Sequence, residues 1–157
     1  MRRSDREIRD MDQVREIIRS CDCCRIAFPD ENGPYIVPLN FAFTHNNAGH
    51  DVFYFHGAKE GRKHQLILRS PTVGFELDRN HAVNVSDRAC GYSFRFQSVI
   101  GTGVVSPVED ILEKKIALAL IMEHYGGKRY WVFSDHEADE VFLFRLVVNE
   151  MSGKEHR

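Results

Sequence analysis

The chain has 157 residues, 43% of them hydrophobic and 28% charged, a balance that suits one globular domain with one sizeable core. Lysines and arginines number 21 against 23 aspartates and glutamates, and the formal net charge of -2 excludes an overall basic field for nonspecific binding to nucleic acid or membrane surfaces. No apolar run approaches the ~18 residues of a membrane-spanning helix, and MRRSDREIRD lacks an apolar segment after its positive charges, so a cytoplasmic protein with one domain over residues 1–157 is expected.

In chain order, DMDQVREIIRSC predicts a helix over about residues 11–21. Asp10 and Gln13 have capping-box spacing, and Met11, Val14, Ile17, Ile18 and Cys21 form one apolar stripe. Cys21, Cys23 and Cys24 follow, with Cys90 far along the chain. In a chain of this length without secretory signals, they read as reduced thiols. Thiolates at Cys-x-Cys-Cys spacing suit zinc or copper(I), but the second separated pair of a structural zinc site is missing. Small buried hydrophobes at a helix-to-strand junction are expected, and no metal site.

CRIAFPD and PYIVPLNFAFTH are two β-rich runs joined by the turn-forming DENGP, and NNAGH leads to a third, DVFYFH. Together they read as an antiparallel meander. KEGRKHQLILRSP reads as a short helix ending before Pro71. TVGFELDRN is a fourth strand and YSFRFQSVIGTGVVSP a long fifth, bent at Gly101 and Gly103. Ser106 then opens a long helix, with Pro107 in its first turn, Glu109 at capping-box spacing, apolar Ile111, Leu118, Met122 and Tyr125, and a stop at Gly126–Gly127. RYWVFSDHEAD reads as an irregular loop and VFLFRLVVNEM as the final strand, followed by a frayed tail over about residues 152–157. About six strands without alternating helices point to a small antiparallel barrel with helices outside it.

Two segments could carry chemistry. In FYFHGAKEGRKHQLI, a strand gives way to a helix at Gly57 and Ala58, and His56, Lys59, Arg62, Lys63 and His64 gather basic groups around the bend. Small residues let an anion approach the backbone, a helix N-terminus attracts negative charge, and the lysines and arginine supply charge-assisted donors, as a phosphate requires. The competing reading is a solvated helix face with incidental basic residues, since no complete glycine fingerprint or Walker pattern is present. In PYIVPLNFAF, Pro38 cannot donate to a ladder and marks a place where the strand edge stops pairing. Asn40 there offers amide groups to a planar heterocycle, or else faces solvent. The eight histidines show no metal-binding spacing, no Gly-x-Ser-x-Gly elbow occurs, and DHEADE over 135–140 reads as a solvated loop in preference to a cation site.

With MRRSDREI, RIAFPDENGPYIVPLNFAF, FYFHGAKEGRKHQLI, FRFQSVIGTGVV and ALALIMEHYGG in that order and spacing, the chain resembles the NimA/NimC-like (5-nitroimidazole resistance) branch of the pyridoxamine 5′-phosphate oxidase-related flavoproteins. The resemblance implies a six-stranded antiparallel split β-barrel, mainly β with flanking helices, that forms a homodimer with FMN at the subunit interface. It places Pro38, Leu39, Asn40 and Phe41 along the isoalloxazine ring. His56, Gly57, Ala58, Lys59 and Lys63 fall at the ribityl phosphate, with His56 pairing the phosphate in preference to donating a proton to substrate. It sets Gln97 and Ser98 near the flavin, although the family often carries a charged residue where Gln97 stands, and it puts Trp131 near the partner subunit's flavin. The activity it implies is an FMN-dependent oxidoreductase passing electrons from NAD(P)H or another donor to a small acceptor such as a nitroaromatic compound. The alternative is a flavin- or haem-binding carrier or sensor without turnover. A structural dimer whose basic helix is solvated surface stands as a third reading.

Overall fold

The computed structural model describes residues 4–46 and 48–157. A short strand β1 (Glu7–Ile8) precedes helix α1 (Met11–Arg19), which is capped by Asp10 accepting from the Asp12 N–H at 2.9 Å. Gln13 therefore does not complete a capping box, and α1 stops two residues short of the expected end. Its buried face is Val14, Ile17 and Ile18. Strands β2 (Cys24–Phe28), β3 (Tyr35–Leu39), β4 (Phe41–His45) and β5 (Asp51–Gly57) follow, then helix α2 (Arg62–Arg69).

Two long strands come next, β6 (Thr72–Asn84) and β7 (Ser93–Pro107). Helix α3 (Ile111–Gly126), short helix α4 (Asp135–Glu140) and strand β8 (Phe142–His156) complete the chain. No helix among the described residues is long and apolar enough to cross a membrane.

All strand pairs are antiparallel, in the order β3-β2-β6-β7-β8-β5-β4, with β1 added to the far end of β8. The sheet thus has eight strands where six were expected, because PYIVPLNFAFTH is two strands and Glu7–Ile8 forms another. Its two edges, β3 and β4, are consecutive in the chain and separated only by Asn40. The sheet must therefore curl until its edges meet at that residue, which makes the split barrel.

Alternation sorts the side chains between the inside and the outside of the curl. Phe41 and Phe43 of β4, Phe53 and Phe55 of β5, and Phe144 and Leu146 of β8 point into one core with Phe28, Phe75 and Leu77. Their rings pack at centroid distances of 4.9 Å (Phe43–Phe53), 5.1 Å (Phe53–Phe75) and 5.0 Å (Phe55–Phe144). The intervening Ala42 and Leu143 face outward, where Ala117, Leu118 and Ile121 of α3 and Ala138 of α4 cover them.

Three expectations are corrected here. Ser106 and Pro107 belong to β7, held by pairing with Arg145 and Phe144, and α3 begins after Asp110, whose carboxylate accepts from the Glu113 N–H at 2.8 Å. The acidic stretch expected as loop is α4, with a capping box in which Ser134 and Glu137 bond each other reciprocally. Residues 152–156 are not frayed, because they pair with β7 on one side and, at Gly153 and Lys154, with β1 on the other.

The bend expected in the fifth run is present as a register shift between Thr102 and Gly103. A Cβ on Gly101 would meet the Glu150 carbonyl oxygen and come within 2.5 Å of the Phe75 ring. Gly101→Ala is therefore expected to lower stability by about 1–3 kcal/mol, read as a fall in the urea midpoint at unchanged slope. An unchanged midpoint would show that the crossing of β7 over Phe75 is looser than described.

Candidate functional site

The basic segment sits where β5 ends. Gly57 pairs with Phe142 at the start of β8, and the chain turns through Ala58 and Lys59, both exposed, to Gly61. Gly61 has φ 104°, a left-handed torsion that glycine adopts without strain, and it caps α2 without any side-chain hydrogen bond. The first turn of α2 contains no acidic residue, so its N–H groups face outward beside basic side chains.

Lys63 folds back from α2 over this turn. A Cβ on Gly57 would lie 2.5 Å from the Lys63 Nζ, so a larger residue there would push the end of the lysine side chain aside. The same Nζ stands 5.7 Å from the Phe144 ring centroid. Partial burial pulls the Lys63 ammonium below its ordinary pKa, and no carboxylate among the described residues pairs with it. His56 is also held below its usual value, by loss of solvent and then by the Lys63 charge. A phosphate brought against these two groups reverses both effects, because an adjacent anion favours their charged forms.

Arg62 behaves differently from the expectation that it would serve an anion. Its guanidinium donates to Asp30 at 2.8 and 2.5 Å and stacks on Tyr35 at 4.4 Å, while Arg69 also reaches Asp30 at 2.9 Å. Those arginines hold Asp30 below the usual carboxylate range and anchor α2 to the turn between β2 and β3. His64 packs edge-on against Phe142 at 4.7 Å. Among the described residues, the donors of the segment outside ion pairs are therefore Lys63, the helix N–H groups and Lys59, whose charge also helps to hold Asp139 of α4 below its ordinary pKa.

The interrupted strand flanks the same corner. The register pairing Phe41 with Phe55 puts Asn40 one step further, alongside His56. Pro38 and Asn40 are exposed and alternate with the half-buried Leu39. Phe41 is fully buried, tilted against His124 at 4.8 Å, so its side chain belongs to the core and offers no surface to a ligand.

A residue without any functional signal in the sequence organises this break. The Tyr125 hydroxyl, near the end of α3, accepts from the Phe41 N–H at 3.1 Å, donates to the Asp22 carbonyl at 2.8 Å, and is hydrogen-bonded by the Asn40 side chain. His124 bonds the neighbouring Cys21 carbonyl at 2.8 Å. Burial raises the Tyr125 pKa, which keeps the hydroxyl protonated and able to donate. Trp131 packs on Gly126, one residue beyond Tyr125, with its indole N–H buried and lacking an acceptor. The cysteines are free: Cys21 and Cys24 are buried, their thiols pushed up by desolvation (Cys21 to about 11), and no metal-binding cluster occurs among the described residues.

Gln97 and Ser98 are not brought to this corner. Gln97 faces Glu155, at the opposite end of β8 from Phe142, a contour of roughly 40 Å at ~3.3 Å per residue. The expected site residues thus fall into two groups on one chain.

The profile described as pyridoxamine 5′-phosphate oxidase matches residues 10–155, which is nearly the whole chain. The chain belongs to the pyridoxamine 5′-phosphate oxidase family. Among solved structures, a candidate 5-nitroimidazole antibiotic resistance protein from Bacteroides thetaiotaomicron is 32% identical, with TM-score 0.81 over 95% of this chain and 86% of that one. Two more distant structures share the fold of this oxidase family. The FAD and heme binding protein from Mycobacterium smegmatis is 13% identical (TM-score 0.81, 97% and 74% covered), and the flavocytochrome Anf3 from Azotobacter vinelandii is 17% identical (TM-score 0.80, 100% and 72% covered). No curated protein matches the sequence.

Replacing Tyr125 by Phe strands the Phe41 N–H, the Asp22 carbonyl and the Asn40 amide at once. The expected cost is about 1–3 kcal/mol, measured by urea unfolding. A cost below the error of the measurement would mean that the hydroxyl does not fasten the break.

Proposed function

We propose that the chain is an FMN-binding oxidoreductase of the 5-nitroimidazole resistance type, working as a homodimer and passing electrons from a nicotinamide nucleotide or another donor to a small acceptor such as a nitroaromatic compound. The observation that carries this reading is the Lys63 ammonium held over Gly57, unpaired with any carboxylate among the described residues, at the N-terminus of α2, which has no side-chain cap. A fixed cation beside free N–H groups suits one phosphate monoester. The exposed Pro38–Asn40 edge beside it suits the planar ring attached to that phosphate.

Bound FMN supplies the redox chemistry. Lys59, Lys63, Ala58 and the α2 N–H groups would hold the phosphate, His56 would pair with it from the side, and Asn40, kept in place by Tyr125, would orient the ring. The remoteness of Gln97 and Ser98 from this chain's own cradle supports a dimer in which a second copy supplies them. Exposed apolar side chains give such an interface material, including Ile100 and Val104 on β7 and Leu112 and Ile116 on α3. The 32% identity with the Bacteroides 5-nitroimidazole resistance protein supports a nitroaromatic compound as the acceptor, and the heme named for the Mycobacterium smegmatis protein belongs to that protein.

Lys59→Ala and Lys63→Ala are each expected to weaken FMN binding about 10–150-fold while leaving riboflavin binding nearly unchanged, because each charge-assisted bond is worth about 1.5–3 kcal/mol. Equal losses for the two ligands, followed by flavin fluorescence, would reject the phosphate cradle. In anaerobic solution NADH or NADPH is expected to bleach the bound flavin and a nitroimidazole to restore its colour. A flavin that no donor reduces would leave a carrier, and a Soret band in place of the flavin spectrum would identify that carrier's ligand as haem.

A further inference from the structure

At the far end of β8 from the phosphate cradle, arginines from neighbouring segments gather at one face of the sheet. Arg79 of β6 stands opposite Gln97 of β7, and Gln97 stands opposite Glu155 of β8. Arg95, two residues before Gln97 and opposite Ala82, shares their face. The register of β1 on β8, carried one step past the Glu7–Lys154 pair, brings Arg6 alongside Glu155. At a bulge in β6 between Arg79 and Ala82, Asn80 takes φ 59°, an uncommon left-handed torsion outside glycine. Its amide ties the row together, accepting from Arg79 at 3.3 Å and donating to Gln97 at 2.8 Å. The His81, Phe94, Phe96 and His156 rings belong to the opposite face and take no part.

The charges on this face do not cancel. Glu155 is met by Arg157 at 2.9 Å and by the Gln97 amide at 3.3 Å. Asp78, opposite Ser98, points to the other face, where it meets Arg25 at 2.6 Å and His81 at 2.8 Å. Arg6, Arg79 and Arg95 therefore pair with no carboxylate among the described residues. The Arg6 Nε is in addition buried without a hydrogen-bond partner, a state that a polar atom in a folded protein seldom keeps. Each guanidinium fork matches two oxygens of a phosphate, and forks carried by strands ~4.8 Å apart suit more than one phosphate at a time.

We propose that this face is a subsite for a diphosphate group, held by Arg95 and Arg6 with Arg79 behind them, and that the diphosphate it takes is that of the nicotinamide nucleotide donor. The second half rests on the proposed function, in which a second copy carries Gln97, and with it this face, to the flavin. The diphosphate is the charged part of the donor that does not react. Holding it supplies binding energy remote from the nicotinamide ring and sets where that ring can lie.

The test is titration calorimetry of the full chain with inorganic pyrophosphate, run with FMN present so that the cradle at Lys63 is filled, and repeated without FMN on Lys63→Ala. Binding is expected in both. Arg95→Ala and Arg6→Ala are each expected to weaken it at least about tenfold, and Lys128→Ala, which removes an exposed lysine just after α3, to leave it unchanged. Absence of pyrophosphate binding, or equal losses for Arg95→Ala and Lys128→Ala, would overturn the subsite. In the FMN-loaded protein Arg95→Ala is expected to raise the KM for NADH or NADPH about tenfold with kcat nearly unchanged, and an unchanged KM would overturn the donor assignment. Pyrophosphate binding with the expected pattern in a chain that takes up no flavin would overturn the proposed function and leave the subsite standing.

Discussion

The whole arrangement depends on how one strand stops and another begins. β3 and β4 lie at opposite edges of the sheet, and a single residue, Asn40, carries the chain between them. At such a seam the ladder cannot satisfy every backbone group, and an orphaned N–H or carbonyl at a half-buried position is costly. The Tyr125 hydroxyl meets that need from outside the sheet, taking the Phe41 N–H and giving its own proton to the Asp22 carbonyl. Helix α3 is therefore more than a cover for Ala42 and Leu143. It fixes the position of the strand edge that lies alongside His56.

The basic turn lies next to this seam. Partial burial lowers the pKa of the Lys63 ammonium, no carboxylate among the described residues pairs with it, and the glycine at position 57 leaves space for it to lie there. Arg62 and Arg69, by contrast, are spent on Asp30, and their pairing keeps α2 at the angle that aims its N-terminus at the same spot. Charge in the segment is thus divided between arginines that hold the helix and a lysine that pairs with no carboxylate among the described residues.

Much of this was legible in the sequence because the signals were local. Period-two alternation and turn residues located the strands, Pro71 ended α2, and the glycines at 101 and 103 marked the bend. What failed was decided by partners distant in the chain. Ser-Pro-x-Glu at 106–109 has the look of a helix start, yet pairing with Arg145 and Phe144 keeps Ser106 and Pro107 in β7, and Asp110 starts the helix instead. The polar tail had no alternation to announce it, and it is a strand only because β1 and β7 lie on either side. One signal was present and passed over, the Ser-x-x-Glu box at 134–137, and the interruption read at Pro38 falls instead at Asn40, because Pro38 still pairs opposite Arg25 inside β3. Of the candidate site, the basic turn after β5 and the exposed Pro38–Asn40 edge were readable from residue types. The burial of Phe41, the commitment of Arg62 and the hydroxyl of Tyr125 were not, since each follows from a contact across the fold.

The expected site residues fall in two groups at opposite ends of β8, and the proposed homodimer is what would bring the two together. The most direct measurement is a crystal structure of the full chain grown with FMN. The account predicts the phosphate within hydrogen-bonding distance of Lys63 and the first N–H groups of α2, the ring along Pro38–Asn40, and Gln97 of the partner subunit beside it. A phosphate seated elsewhere, with the turn at Gly57 and Lys63 left to solvent, would contradict it.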